Sequence, residues 1–249
     1  MRPEQAAAAA RKAVNALGSA FLDCPITLSR AREWGLSGSA CYIAGRGGAL
    51  GDVRPDVAAA ALGLIAPEAV RVAWEAARSV RQPSEVAACM REECRRWGDA
   101  NLTSVPRVHR LVTLAEAVVA AADSNGLPLF AAWRTMPVPE DVFDGLGAQA
   151  AVALHLLHEH RAGALIFAIR CTGMSPVQAL LAGPKGEATA AAFGWQPPYP
   201  PRAQSMRKRA WADTVADHMA GQAWRVLSPK ERAELVSLLN EARTHANLG

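Results

Sequence analysis

Proline marks the start of several alanine-rich, apolar stretches in this chain, and this feature limits the fold more than any other. Pro55, Pro67, Pro83, Pro176 and Pro229 each open a stretch in which apolar residues recur at helical spacing. Proline is tolerated in the first turn of a helix, where its missing N–H would have had no helical partner. Alanine loses no side-chain entropy when a helix forms. The sequence therefore predicts an all-α fold.

The final helix has the clearest start signal. Ser228 precedes Pro229, and Ser228 with Glu231 matches a capping box, in which the two residues satisfy each other's free backbone N–H groups. We expect this helix to run from Pro229 to about Ala246. Apolar periodicity predicts further helices at 4–20, 55–64, 67–80, 84–97, 107–124, 147–172 (with a candidate break at Gly163), 176–182 and 204–220. Because neither a fixed-period repeat nor a sustained heptad is found, we expect a multi-helix bundle.

A proline-rich segment, Gly194 to Pro201, separates two regions of different composition. Its four prolines oppose helix and favour extended backbone. After it come a basic helix, a short apolar turn and the capped final helix. We expect a helical bundle over residues 1–194 and a small winged-helix-like C-terminal region over 195–249 that packs on the bundle.

Composition indicates the cellular location of the protein and the state of its cysteines. The longest apolar stretches fall well short of the roughly 20 residues that cross a bilayer, and the N-terminus lacks the apolar core of a secretion signal. We therefore expect a cytoplasmic protein without membrane contact. Its five cysteines are an odd, scattered set, which favours reduced thiols and excludes a zinc ribbon. The formal charge of +4 predicts only modest attraction to nucleic acid.

A glycine-dense segment, Tyr42 to Gly51, is the first candidate site. Glycines let backbone N–H groups approach an anion, and the Arg46 guanidinium can hold a carboxylate, sulfate or phosphate with two hydrogen bonds. The segment lacks the Gly-Lys-Ser/Thr of a nucleotide-binding P-loop. The alternative is a tight turn between helices in which Arg46 caps carbonyl groups.

A histidine-rich stretch, His155 to Arg161, is the second candidate. His155 and His158 share a helix face, whereas His160 lies well round the cylinder, so one metal ion cannot bind all three. No third ligand is evident, and we predict neither a metal site nor a cofactor. These side chains are either satisfied within the bundle, or His158, His160 and Arg161 line a small-molecule pocket, where a histidine serves as acid or base.

The basic stretch after the proline-rich segment is the third candidate. Arg202, Arg207, Lys208 and Arg209 lie next to a helix-turn-helix arrangement and could contact phosphates. Acidic residues such as Asp213 are interspersed in the same region. A solvated helix face is therefore the alternative interpretation.

Short motifs spread over most of the chain carry a family resemblance: Tyr42-x-Ala44-Gly45-Arg46, Leu50-Gly51, Gly63, Ala66-Pro67, Glu159-His160-Arg161, Gly194-Trp195 and Leu227-Ser228-Pro229. In these motifs the chain resembles a family of actinobacterial helix-turn-helix-related proteins of largely unassigned function, several of them in natural-product gene clusters. The resemblance implies an all-helical fold with a winged-helix-like end. At Gly18, Gly163 and Leu165 the chain departs from the histidine and acidic residues of that pattern, which predicts a simplified pocket.

Three functional hypotheses follow. The first is an accessory or substrate-binding subunit in natural-product biosynthesis, working with a partner enzyme that docks on the proline-rich segment. In it, a polar or anionic small molecule binds among Tyr42, Arg46, His158, His160 and Arg161. The second is a winged-helix DNA-binding regulator that uses the basic stretch. The third is a stand-alone enzyme with His158 or His160 as general base and Arg46 binding an oxyanion.

Overall fold

The computed structural model of the protein describes residues 1–137 and 145–248, and this part of the chain folds into thirteen α-helices joined by short connections. The predicted all-α class is confirmed. The helices are α1 (Pro3–Ser19), α2 (Pro25–Glu33), α3 (Gly38–Gly47), α4 (Pro55–Leu62), α5 (Pro67–Arg78), α6 (Pro83–Leu102), α7 (Val108–Ala121), α8 (Pro128–Arg134), α9 (Leu146–Cys171), α10 (Pro176–Leu181), α11 (Glu187–Ala192), α12 (Ala203–Gly221) and α13 (Pro229–His245).

Proline and serine start the helices as the local sequence predicts. Each of the five proline starts expected from the sequence is the first residue of a helix. At the start of α13 the Ser228 hydroxyl accepts from the Glu231 N–H at 3.3 Å, and the Ser228 N–H donates to the Glu231 carboxylate at 2.9 Å. Ser175 and Gln178 form the same capping box at α10. These contacts satisfy N–H groups that a helix start otherwise leaves free.

The sequence analysis missed four helices: α2, α3, α8 and α11. The most consequential is α3, because it covers most of the glycine-dense segment that was predicted to be a loop or turn. Ser37 caps α3 by accepting from the Ala40 N–H at 3.2 Å. Within and just after α3, glycines lie where other helices come close. A Cβ atom on Gly48 would stand 1.9 Å from the Pro83 carbonyl oxygen. These glycines therefore serve helix packing rather than a flexible loop.

Helix α9 is the centre of the bundle. It packs against α1, α6, α7 and α12, and buried residues occur on most of its circumference. It runs without a break through Gly163, whose missing side chain makes room for Leu127. A helix that is apolar all round is one that other helices surround. The charged side chains on α9 must therefore find partners inside the protein.

The C-terminal helices join the same hydrophobic core as the N-terminal helix. Helix α12 packs on α9 and α1, while α13 packs on α1 and α7, with Leu235, Leu238 and Leu239 fully buried. A 3₁₀ turn, Ala223–Val226, connects them. Because the structure has no strand within residues 195–248, the wing-like detail is not confirmed. The boundary predicted between residues 194 and 195 stays a prediction.

Two further features bear on the setting predicted from composition. Among the described residues, no helix combines the length and apolar character needed to cross a membrane. All five cysteines are free thiols, and only Cys171 is exposed.

Candidate ligand-binding site

A cavity of about 1240 Å³ opens beside the central helix. Its walls come from the 3₁₀ turn that follows α1, from α2, α3, α5 and α11, and from the residues just after α11, while α9 contributes His158. The walls are mainly apolar. Large apolar side chains on them are Leu22, Leu28, Ile43, Ile65, Val72 and Phe193. A concave, largely apolar site with few polar groups is the usual form of a small-molecule site.

Two of the five side chains predicted to bind a ligand line this cavity, Tyr42 from α3 and His158 from α9. Arg46 lies one helical turn beyond Tyr42 and donates to its hydroxyl from Nη1 at 3.0 Å. The guanidinium also lies 5.4 Å from the centre of the Tyr42 ring, within the range of a cation–π contact. The structure therefore brings Tyr42, Arg46 and His158 to one region.

The guanidinium of Arg46 is already paired with a carboxylate of the protein. Its Nε and Nη2 donate to the two oxygens of Glu159 at 2.8 and 2.9 Å. Arg46 is 7% exposed and Glu159 is 1% exposed, so the pair lies out of water. Glu159 thus takes the place that the sequence analysis assigned to a bound anion. Nor does the Arg46 side chain donate to a carbonyl group within the described ranges, as the alternative interpretation proposed.

Burial and pairing act in opposite directions on this ion pair. Burial by itself would raise the pKa of Glu159, but the nearby Arg46 charge and hydrogen bonds lower it to about 2. Burial likewise disfavours the charged guanidinium, yet Glu159 raises the pKa of Arg46 above its ordinary value. Both groups are therefore charged at neutral pH, and their charges cancel.

His155 extends the same buried cluster. Its Nδ1 lies 2.8 Å from the Gly18 carbonyl oxygen, and since a carbonyl only accepts, Nδ1 carries the proton. Its Nε2 lies 3.8 Å from a Glu159 oxygen and has no hydrogen bond within the described part of the chain. Burial lowers the pKa of His155, so the ring is neutral at pH 7. Phe21 and Trp133 contact it edge-on, with ring centres at 5.0 and 4.3 Å.

His158 is the histidine that reaches the cavity. Burial lowers its pKa to about 3, even though the charge of Glu159 acts in the other direction. Among the residues the structure describes, its Nδ1 has no hydrogen-bond partner. His158 is therefore a neutral imidazole on the cavity wall at neutral pH.

The structure places His160 and Arg161 away from this cavity. His160 packs edge-on against Phe130 of α8, with ring centres 5.0 Å apart, and burial lowers its pKa. Arg161 donates to Asp217 of α12 at 2.8 Å, and Arg11 of α1 lies 3.6 Å from the same carboxylate. Arg161 thus ties α9 to its neighbours, and its binding role stays a prediction.

Sequence reasoning missed two parts of the site. One is the part of the wall formed by residues 185–196, because the amino-acid pattern of this segment gave no sign that it lies close to the glycine-dense segment. The other is the role of Glu159. A signal for Glu159 was present, since a carboxylate in the middle of an apolar helix needs a buried cationic partner.

The four basic residues proposed for nucleic acid differ in their surroundings. Arg202 donates to the Gly183 carbonyl at 3.2 Å, and Arg209 donates to the Ala179 carbonyl at 2.8 Å and pairs with Asp213. Arg207 and Lys208 are exposed. Two of the four side chains, Arg202 and Arg209, therefore bond to the protein's own backbone, and the other two, Arg207 and Lys208, face solvent.

Within the described residues, no cluster of three or more histidine, cysteine or carboxylate groups is arranged to hold a metal.

Comparison with known proteins places the chain in a family. Comparisons with curated proteins and with solved structures give no match. A model of a helix-turn-helix family matches residues 7–247, which is nearly the whole chain. The protein therefore belongs to this helix-turn-helix family.

Proposed function

We propose that this protein binds a small organic molecule in the cavity between α3, α5, α9 and α11, and that it acts as a substrate-binding or accessory subunit. The observation that carries the proposal is the cavity itself. At about 1240 Å³ it is roomy enough for a drug-sized molecule. Openings this large are few in any one protein, which makes this one the first candidate for a ligand site.

The walls favour a largely apolar ligand. Burying apolar surface stabilises a complex by about 25 cal/mol for each Å² removed from water. Tyr42 and His158 add hydrogen-bonding groups to the wall, which orient a ligand rather than supply most of the affinity.

Binding is favoured over independent catalysis by the state of Arg46. The enzyme hypothesis needed this guanidinium to hold an oxyanion on the ligand, but Glu159 occupies it. A neutral His158 alone is a weak basis for a reaction. The partner enzyme and the natural-product pathway remain part of the proposal, and the exposed Pro197 and Pro198 are where we expect such a partner to dock.

A neutral fluorescent probe tests the binding function. N-phenyl-1-naphthylamine emits strongly in apolar surroundings, and we expect saturable binding of one probe per chain. Ser39 is exposed in the first turn of α3 and lines the cavity, so Ser39→Trp fills space there without entering the core. We expect this variant to bind the probe about tenfold more weakly, equivalent to about 1.4 kcal/mol.

Ser237→Trp is the matched control. Ser237 is equally exposed but lies on α13, which contributes nothing to the cavity wall. Its binding should equal that of the unchanged protein. If the probe shows no saturable binding, or both tryptophan variants bind equally well, the cavity is not a ligand site.

DNA binding is the second candidate, favoured by membership of a helix-turn-helix family and by the exposed Arg207 and Lys208. Two observations reduce the basic surface. Arg202 and Arg209 are bonded to the protein's own carbonyl groups. Glu234 and Glu241 of α13 pair with Arg107 in the connection over residues 103–107, which neutralises that guanidinium. Titration with a random-sequence duplex at low salt separates this function from ligand binding.

A further inference from the structure

The hydroxyl of Tyr42 accepts a hydrogen bond but, within the described part of the chain, does not donate one. It accepts from Arg46 at 3.0 Å, and it donates to no acceptor within residues 1–137 and 145–248. A phenol both accepts and donates. Because Arg46 is held by two hydrogen bonds to Glu159, the phenol oxygen is held in turn. Its proton is thus available on a side chain that lines the cavity.

The buried groups around Tyr42 and His158 carry no net charge. The charges of Arg46 and Glu159 cancel across two short hydrogen bonds, and His158 is neutral at pH 7. A carboxylate or ammonium group beside Tyr42 and His158 would lose its hydration, and the Arg46–Glu159 pair would offer it no free opposite charge. The charged side chains on the cavity wall, Asp23, Glu68 and Lys185, are on other elements, and Glu68 already pairs with Arg71.

We propose that the cavity selects a neutral, largely apolar molecule that carries a carbonyl-type acceptor, and that the Tyr42 hydroxyl donates its hydrogen bond to that acceptor. The proposal rests on the binding function proposed above and specifies its ligand class. Arg46, Glu159 and His155 act as positioning residues behind Tyr42. It also replaces the anionic ligand expected from the sequence, because the Arg46 guanidinium that was expected to hold the anion is already neutralised by Glu159.

Three naphthalene probes of nearly equal size test the ligand class. They are 2-acetylnaphthalene, which has a carbonyl group, 2-ethylnaphthalene, which lacks it, and 2-naphthoate, which is an anion. Their affinities are measured by displacement of N-phenyl-1-naphthylamine from the full chain. We expect 2-naphthoate to bind at least about tenfold more weakly than 2-acetylnaphthalene, because Glu159 already neutralises the guanidinium behind Tyr42.

Tyr42→Phe tests the donor. It removes only the hydroxyl and keeps the ring. We expect it to weaken binding of 2-acetylnaphthalene about tenfold, as for one lost hydrogen bond, and to leave 2-ethylnaphthalene unchanged. Tyr199→Phe is the matched control, since the Tyr199 hydroxyl donates to the Trp195 carbonyl and Tyr199 is not on the cavity wall. It should change neither affinity.

A second measurement uses the unchanged protein, so its result does not depend on whether Tyr42→Phe folds correctly. The carbonyl stretch of bound 2-acetylnaphthalene should lie at lower wavenumber than in an aprotic apolar solvent, because a hydrogen bond weakens the C=O bond. Equal loss of both neutral probes in Tyr42→Phe, an unshifted stretch, or 2-naphthoate as the tightest probe would each overturn the carbonyl anchor while leaving the binding function intact. Absence of saturable binding by all the probes would overturn both proposals.

Discussion

At the scale of single residues, the buried pair Arg46–Glu159 is the feature on which the candidate site depends. Taking two charges out of water is costly, and their attraction offsets that cost only when the geometry is good and the remaining hydrogen-bonding groups are satisfied. Here the two groups make a double hydrogen bond, and Tyr42 takes a third guanidinium N–H. The pair therefore fixes the position of the Tyr42 hydroxyl, whereas its net contribution to the free energy of unfolding is small.

Removing one member of this pair should be far more damaging than removing both. Glu159→Gln keeps the shape but leaves the Arg46 charge buried without a counter-ion, and we expect a loss of about 3–5 kcal/mol in the free energy of unfolding. The double change Arg46→Met with Glu159→Leu leaves no unpaired charge and should lose less than Glu159→Gln alone. Urea denaturation of the purified variants measures both.

An exposed pair provides the control for that comparison. Glu75 and Arg78 lie 3.8 Å apart on the outer face of α5, with both side chains exposed. Exposed pairs contribute little because water screens them. Glu75→Gln should therefore leave stability nearly unchanged. A loss as large as that of Glu159→Gln would contradict the assigned importance of burial.

At the scale of elements, helix α3 shows how closely this bundle is packed. The glycines that suggested a loop lie against other helices. Added Cβ atoms would stand 2.4 Å from the Met90 side chain at Gly45 and 1.9 Å from the Pro83 carbonyl oxygen at Gly48. The backbone at Gly48 has a φ of −64°, which any residue adopts, so closeness rather than conformation requires a glycine there. This closeness sets α3 beside α6 and so positions Tyr42.

Substitution of Gly48 should separate these elements. Gly48→Ala forces the chain away from Pro83, and overpacking of this kind costs about 1–3 kcal/mol. Gly38→Ala is the matched control, because its Cβ would have only one neighbour, 4.0 Å away, at the exposed start of α3. That change should be neutral or slightly stabilising, since alanine favours helix over glycine. Thermal unfolding distinguishes the two, and equal melting temperatures would contradict the packing role.

At the scale of the whole molecule, two buried histidines, His155 and His160, and the partly buried His158 make the fold sensitive to mild acid. His155, His158 and His160 all have pKa values lowered by burial, that of His158 to about 3. In the unfolded chain a histidine binds a proton near pH 6.5. Below that pH the unfolded chain binds more protons than the folded protein, so the free energy of unfolding falls as pH falls.

The pH dependence of stability should therefore begin well above the range in which carboxylates titrate. Between pH 6 and pH 5 we expect His158 to contribute up to about 1.4 kcal/mol per pH unit. His158→Gln should reduce the slope by that amount, whereas the exposed His109→Gln on α7 should leave it unchanged. Urea denaturation at intervals across this range gives the slope. Equal slopes in the two variants would show that the folded protein does not hold His158 neutral in this pH range.

The sequence by itself determined the helical class and most helix starts. Signals such as Ser228 with Glu231 at α13 act within one helical turn, so they can be read without knowledge of the fold. It also singled out Tyr42, Arg46 and His158. It did not separate them from His160 and Arg161, because the spacing of residues on a helix does not reveal which neighbour each face meets.

The tertiary structure alone decided the rest. Arg46 and Glu159 are 113 positions apart, and only the tertiary arrangement that brings the Arg46 side chain of α3 to α9 makes them partners. The same packing turned apparent loop glycines into helix contacts and created the cavity from segments distant in the chain. Caps and start signals are short-range interactions that a sequence records locally, whereas a cavity and a buried ion pair exist only where several helices meet.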